Sequence, residues 1–415
     1  MNLLLQQSTV SLKSTIAITG SKSETNRLLL LQALYPNIII ENASVSDDAE
    51  VMQKALASNN QIIDIHHAGT AMRFLTAYFA IQEGNTVILK GSSRMKQRPI
   101  QILVTALLQL GAQIEYLEMD GFPPIKITGK KLIHNKVALP ANVSSQYISA
   151  LLLIAPKLQS GIELTLVGQI TSVPYIKMTL ELLKRIGATT SFKENTIVVL
   201  PPPHPDSYRD ATPNIQSVES DWSSASYYYS IVALSKIGTQ ITLSNYKAKS
   251  LQGDARLVTI YKKFGVATVF NSDNSITITK TQNLEVATLK FALNTAPDIA
   301  QTIAVTCFGL GFGCRLTGLH TLKIKETDRL EALKNELSKL GASISVSNDS
   351  LTLAPSSKIN EKVTIKTYQD HRMAMAFAPL ALKTKIIIEH AEVVSKSYPT
   401  FWKDLGSVGF EIATV

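Results

Sequence analysis

Lys325, Glu326, Thr327, Asp328 and Arg329 put two cations and two carboxylates into five consecutive residues, directly ahead of the helix-forming run LEALKNELSKL. Such a set can hold an anion with its cations while a carboxylate gives or takes a proton. A helix that starts near Thr327 or Asp328 would carry a capping side chain and aim its positive end at whatever Lys325 and Arg329 bind. The plainer alternative is a capped surface helix with charges paired at i,i+4. The placement of the other polar residues favours the binding site.

Those residues also fall where helices should begin: Lys22, Ser23 and Arg27; Thr70 and Arg73; Arg98 before Pro99; Ser144, Ser145 and Gln146; Ser172 before Pro174; Asp221; Asp298 after Pro297; Asp370, His371 and Arg372; Lys396 before Pro399. If the helices point one way, their backbone amides, dipoles and cations converge on a pocket for phosphorylated ligands. Two dianionic phosphates about 6 Å apart, at an effective dielectric of roughly 20, repel by about 11 kcal/mol, more than one lysine offsets. Arginine forks suit carboxylate and phosphate. Each serine or threonine here is equally readable as a helix cap. Cations inside helix starts are not, because they oppose the dipole unless an anion compensates.

The elements that must position these residues form a repeat. A helical run ending in hydrophobe-Gly-hydrophobe, followed by an alternating strand, recurs at Gly111, Gly187, Gly265, Gly341 and Gly409. A glycine there fits a left-handed helix end leading into a strand. Ahead of each lies a more apolar helix, opening at Thr70, Gln146, Ser224, Asp298 and His371, and a sixth opens at Ser23. These helices are apolar on nearly every face, so they should be buried, with sheets outside. Alternation in ITLSNY, SITITK, ISVSND and TIKTYQ marks strands. The reading is α/β: six βαβαββ units, three per domain, the first shortened because DAEVMQKAL runs almost directly into His66-His67. The proline-rich stretch Pro201 to Pro205, with Pro213, precedes a boundary at Val218/Glu219.

Composition narrows the function. A chain of 415 residues exceeds one ordinary core, so two domains are expected. Charged residues are only 18% of the total, yet the net charge is +9, which should attract an anion. There is no Lys/Arg run of the nucleic-acid or membrane-surface kind, so a small anionic metabolite is the favoured partner. Cys307 and Cys314 match no metal or redox spacing and read as buried thiols, which suits a cytoplasmic protein. No signal peptide or membrane span is legible. Gly20-Ser21-Lys22-Ser23 lacks the upstream glycine and Gly-Lys pair of a P-loop. His66 and His67 are adjacent and cannot both face one metal from a strand. Tyr227 to Tyr229 read as helix packing.

In this order, GSKSETNR, AGTAMR, RMKQRPI, SSQY, SVPYIKMTL, SDWSSASY, APDIAQTIA, KIKETDR, DHRMAMAF and VVSKSYPTFW resemble the 5-enolpyruvylshikimate-3-phosphate synthase family over nearly the whole chain. The resemblance implies a two-domain inverse α/β barrel, with residues 20–218 forming one lobe on the shikimate 3-phosphate side. Residues 1–19 and 219–415 would form the other, on the phosphoenolpyruvate and acid-base side, with the site between them. It implies enolpyruvyl transfer from phosphoenolpyruvate to the 5-hydroxyl of shikimate 3-phosphate. By position, Lys22, Ser23, Arg27, Ser144, Ser145, Gln146, Ser172, Asp298, Thr321 and Lys325 would hold shikimate 3-phosphate. Lys22, Gly69, Arg98, Gln146, Arg329, Arg372 and Lys396 would hold phosphoenolpyruvate. The catalytic group would be Lys22, Asp298 as proton acceptor and Glu326 as proton donor. No cofactor or metal is implied, and a monomer free of nucleic acid and membrane is expected.

The chain departs from the family at His67 and Thr321, where Asn is frequent, and at Phe74, where Pro is frequent. Thr321 keeps a hydrogen-bonding side chain, but a shorter one. The related UDP-N-acetylglucosamine enolpyruvyl transferases usually carry a reactive cysteine in the loop that matches Ser92 to Arg98, and this chain has none there. A non-catalytic binder of anions or nucleic acid would need the cations but has no use for Asp298 or Glu326. Site residues on both sides of the boundary imply lobes that stand open until anions neutralise their like-charged faces.

Overall fold

A computed structural model describes residues 1–141, 144–203 and 213–415; Pro205, within the proline-rich stretch, lies outside the described residues. The chain divides into two compact units, Gly20–Val218 and Met1–Thr19 with Glu219–Val415.

In the Gly20–Val218 unit, α1 (Lys22–Leu34), the strand Ile38–Glu41 and α2 (Asp47–Leu56) form the shortened repeat. Among the described residues its sheet has two strands, Ile38–Glu41 pairing in parallel with Asn214–Ser217 from the far end of the unit. The next repeat is complete, with α3 (Gly69–Ala80) and α4 (Gln101–Leu110) between the strands Ile62–Asp64, Thr86–Lys90, Gln113–Tyr116 and Ile125–Thr128. The first two strands are parallel, and the fourth lies antiparallel between the second and the third. α5 (Ser145–Ile154) and α6 (Val173–Arg185) repeat that arrangement with another four strands.

The other unit holds three full sheets. α7 (Trp222–Leu234) and α8 (Leu257–Lys262) belong to a sheet whose first strand, Lys13–Ile16, precedes the whole Gly20–Val218 unit in sequence and pairs in parallel with Gln240–Leu243. α9 (Ala300–Gly309) and α10 (Arg329–Lys339) form the next repeat. α11 (His371–Phe377) and α12 (Phe401–Ser407) form the last, whose sheet is completed by the amino-terminal strand Leu3–Leu5, inserted between Ile386–Ile388 and Ile412–Thr414.

The first helix of each repeat is the buried one. All thirteen residues of α7 and all ten of α9 are buried. α9 packs against both α7 and α11, and buried hydroxyls pair between α7 and α9: Ser226 with Thr302 at 3.0 Å, and Thr306 with Ser230 at 2.8 Å. An unpaired hydroxyl there would be costly. Tyr227 packs edge-on against Phe401, and the hydroxyls of Tyr228 and Tyr398 meet at 2.8 Å. The second helices are amphipathic; α10 buries Leu330, Leu333 and Leu337 while Asn335, Ser338 and Lys339 face out. Gly111, Gly187, Gly265, Gly341 and Gly409 all have positive φ, between 73° and 113°. Cys307 and Cys314 are buried and free. Among the described residues no helix is long and apolar enough to cross a membrane.

Three of the differences from the sequence expectation concern α7, α9 and the segment ahead of α11. α7 begins at Trp222 rather than Ser224, because the Asp221 side chain accepts from the Ser224 N–H at 2.8 Å and so caps the helix earlier. A 3-10 turn, Pro297–Ile299, precedes α9, so Asp298 stands just outside the helix. The alternation in TIKTYQ stops at Ile365, since Tyr368 and Gln369 take left-handed φ values of 53° and 56°.

Candidate active site

In the Gly20–Val218 unit most of the candidate side chains stand at or near the starts of α1, α3, α5 and α6. Lys22 opens α1, and its Nζ lies 3.2 Å from Oδ2 of the buried Asp48 on α2. One turn on, Arg27 is buried. Its Nε donates to Thr179 Oγ1 at 2.8 Å, Nη1 to the Ser23 carbonyl at 2.7 Å and Nη2 to Ser149 Oγ at 3.0 Å. The rings of Phe74 and Tyr175 flank its guanidinium at 5.4 and 5.9 Å. Burial pulls the Arg27 pKa down to about 10, against the raising influence of Tyr175 and Glu24. A buried cation supported by hydroxyls and aromatic faces is a good receptor for an anion.

Gly69 opens α3 with the Arg98 guanidinium lying on it, and a Cβ at Gly69 would come within 2.3 Å of Arg98 Nη1. Arg73 fixes this approach, donating to the carbonyls of Gly69 and Pro99, both at 3.0 Å. Tyr147 donates to the same Pro99 carbonyl at 2.6 Å. Gln146 Nε2 donates to Thr70 Oγ1 at 3.1 Å, which joins α5 to α3. Ser144 caps α5 through the Gln146 N–H, and Ser145 is the first helical residue. Ser172 precedes α6 in a left-handed conformation, φ 53°, with no side-chain cap bond. A non-glycine residue held there, its hydroxyl unused by the helix, fits a ligand contact better than a cap.

In the Glu219–Val415 unit one buried guanidinium gathers the charged residues. Arg329, at the start of α10, donates through Nε to Asp370 Oδ2 at 2.6 Å, through Nη1 to Asp298 Oδ1 at 2.9 Å and through Nη2 to Glu326 Oε2 at 2.8 Å. Asp328 caps the helix by accepting from the N–H groups of Leu330 and Glu331. Lys325 Nζ lies 3.4 Å from Asp298 Oδ1, and Arg372 Nη2 lies 3.7 Å from Asp298 Oδ2. Burial favours a neutral Asp298, but Lys325, Arg372 and Arg329 together outweigh it and hold the carboxyl well below the usual carboxylate range. Arg329 thus contacts three internal carboxylates, pairings that the sequence reading did not specify.

Lys396 lies outside this ion-pair set, donating instead to the Gln369 carbonyl at 2.8 Å. Thr321 is buried on the turn His320–Ile324, which packs against Pro297–Ile299, and its hydroxyl has no partner among the described residues. Sequence reasoning overlooked Asp48, Ser149, Tyr175 and Thr179 as site components. Tyr175 and Thr179 stood inside the motif SVPYIKMTL that pointed to the site, whereas Asp48 and Ser149 lie outside the quoted motifs.

Residues 39–405 match the EPSP synthase (3-phosphoshikimate 1-carboxyvinyltransferase) family. The chain belongs to that family. It is 47% identical over 406 residues to a 3-phosphoshikimate 1-carboxyvinyltransferase of Bacteroides fragilis, covering 97% of this chain and 96% of the relative. A similarly named protein of Mannheimia succiniciproducens is 33% identical, with 95% and 96% covered. The solved EPSP synthase of Acinetobacter baumannii superposes with a TM-score of 0.78 at 19% identity over the full length of both chains. The enolpyruvyl transferase NikO of Streptomyces tendae gives 0.72 at 13% identity, covering 99% and 98%. These two likenesses establish the fold, the two-domain inverse α/β barrel.

Proposed function

We infer that this protein transfers the enolpyruvyl group of phosphoenolpyruvate to the 5-hydroxyl of shikimate 3-phosphate and releases phosphate, a step of aromatic amino-acid biosynthesis. The observation that carries the catalytic assignment is the pair of carboxylates, Asp298 and Glu326, bridged by the buried Arg329.

The reaction requires a proton to leave the 5-hydroxyl and a proton to reach the methylene carbon of the enol. The tetrahedral intermediate then loses phosphate while the new methyl group returns its proton. Two carboxylates in different surroundings suit that exchange. Asp298 is nine-tenths buried, whereas the Glu326 side chain keeps 25% exposure. With three cations around it, Asp298 is a weak base. Substrate anions that draw Lys325 and Arg372 away would raise its basicity at the moment the hydroxyl arrives. Binding and activation are thereby coupled.

In this reading Lys22, Ser23, Arg27, Ser144, Ser145, Gln146 and Ser172 hold shikimate 3-phosphate from the Gly20–Val218 lobe, with Asp298, Thr321 and Lys325 completing its site from the other. Phosphoenolpyruvate takes Lys22, Gly69, Arg98 and Gln146 from one lobe and Arg329, Arg372 and Lys396 from the other. Lys22 serves both substrates, and the working enzyme is a cytoplasmic monomer.

A phosphate-release assay tests this: release should need both substrates, and UDP-N-acetylglucosamine should not replace shikimate 3-phosphate. Asp298→Ala and Glu326→Ala should each lower kcat by at least about 10²-fold while substrate binding largely survives. Wild-type turnover in both variants would remove the carboxylates from the mechanism.

A further inference from the structure

The stretch between the last sheet and α11 is strained. Thr367 to Asp370 form a tight turn closed by the Asp370 N–H to the Thr367 carbonyl at 2.9 Å, and both central residues, Tyr368 and Gln369, are left-handed at φ 53° and 56°. Turns with two positive φ values are normally built from Asn-Gly or Asp-Gly, because a Cβ crowds the backbone there. Tyr-Gln is unfavourable in this turn and persists only where surrounding contacts over-determine it.

The contacts that hold the turn converge on Glu336. This carboxylate is fully buried, two turns along α10 from Arg329. Its Oε1 accepts from the Tyr368 hydroxyl at 2.6 Å and its Oε2 from the Lys366 N–H at 3.0 Å, and Lys339 Nζ also reaches Oε2 at 2.6 Å. The turn delivers two site elements. Its Gln369 carbonyl receives the Lys396 ammonium, and its last residue, Asp370, accepts from Arg329 and from the Arg372 N–H at 2.9 Å. α10 thus grips the segment twice, with Arg329 on Asp370 and Glu336 on the turn before it.

We propose that Glu336 is a positioning residue for phosphoenolpyruvate: by clamping the Thr367–Asp370 turn in its strained form, it sets the places of Lys396 and Arg372. This rests on the reading of Lys396 and Arg372 as phosphoenolpyruvate ligands. Nothing in Glu336 touches substrate; it acts through the turn.

The test is steady-state kinetics on the full-length protein with both substrates varied. Glu336→Gln should raise KM for phosphoenolpyruvate about tenfold, and Tyr368→Phe about threefold, with KM for shikimate 3-phosphate within about twofold of wild type. Adding Gln369→Gly to Glu336→Gln should bring KM for phosphoenolpyruvate back to within about threefold, because glycine takes the left-handed conformation without being held there. A lower Tm with both KM values unchanged would reduce Glu336 to a structural residue and overturn the proposal. A raised KM that Gln369→Gly does not rescue would overturn it too, since Glu336 would then act by its charge and not through the turn. Lys396→Met separates the two levels. If it raises KM for phosphoenolpyruvate while Glu336→Gln does not, only this proposal falls; if it leaves that KM unchanged, the ligand assignment falls and the proposal with it.

Discussion

Arg329→Lys keeps the charge of the central cation and removes its fork, so it isolates geometry from electrostatics. The guanidinium spans Asp370, Asp298 and Glu326 through three different nitrogens at 2.6, 2.9 and 2.8 Å. A single ammonium can hold one of these carboxylates closely and must release the others. Hydrogen bonds between charged groups contribute about 1.5–3 kcal/mol each, and breaking a buried ion pair costs about 3–5 kcal/mol. The Glu326 contact counts for little of this because its side chain is 25% exposed, whereas Asp370 is fully buried. The expected loss is about 3 kcal/mol of unfolding free energy, with kcat/KM down by at least about 10²-fold as Asp298 and Glu326 lose their common reference. Urea unfolding followed by tryptophan fluorescence reads the correct unit, since Trp222 and Trp402 are the only two tryptophans and both belong to it. An unchanged midpoint and slope, with kcat/KM within about threefold of wild type, would refute the argument that a forked cation organises the site.

Gly69→Ala should push the Arg98 guanidinium aside, because the new methyl would come within 2.3 Å of Nη1. The expected result is a rise of about five- to tenfold in KM for phosphoenolpyruvate with little change in Tm, since alanine suits a helix start; an unchanged KM would dissociate Arg98 from that substrate. Burial, with Asp298 adding and Arg372 and Ser223 opposing, pushes the Asp254 carboxyl up from 3.8 to about 7. A raised carboxyl pKa means a proton bound more tightly by the folded state, so Asp254 should make the protein less stable as pH rises from about 4 to about 7. Asp254→Asn should flatten that part of the stability profile, and an equally steep profile in the variant would refute the assignment.

Much of the architecture is local in origin and therefore legible in the chain. The five glycines at Gly111, Gly187, Gly265, Gly341 and Gly409 declare the helix ends because no other residue takes positive φ so cheaply, and the all-apolar first helices declare their own burial. Motif order likewise determined the family and pointed to Lys22, Arg27, Asp298, Glu326 and Arg329. What only tertiary structure decided is the ownership of the charges. Nothing near Arg329 in sequence reveals that Asp370, some forty positions on, takes its Nε, or that Asp298 is ionised by three cations from two later segments. The turn at Tyr368 and Gln369 was hidden for the same reason, since its alternation reads as strand and the carboxylate that accepts from Tyr368 belongs to Glu336 on α10. Periodicity records what a residue does for its own helix or strand, whereas hydrogen bonds and ion pairs between distant segments exist only once the repeats have packed.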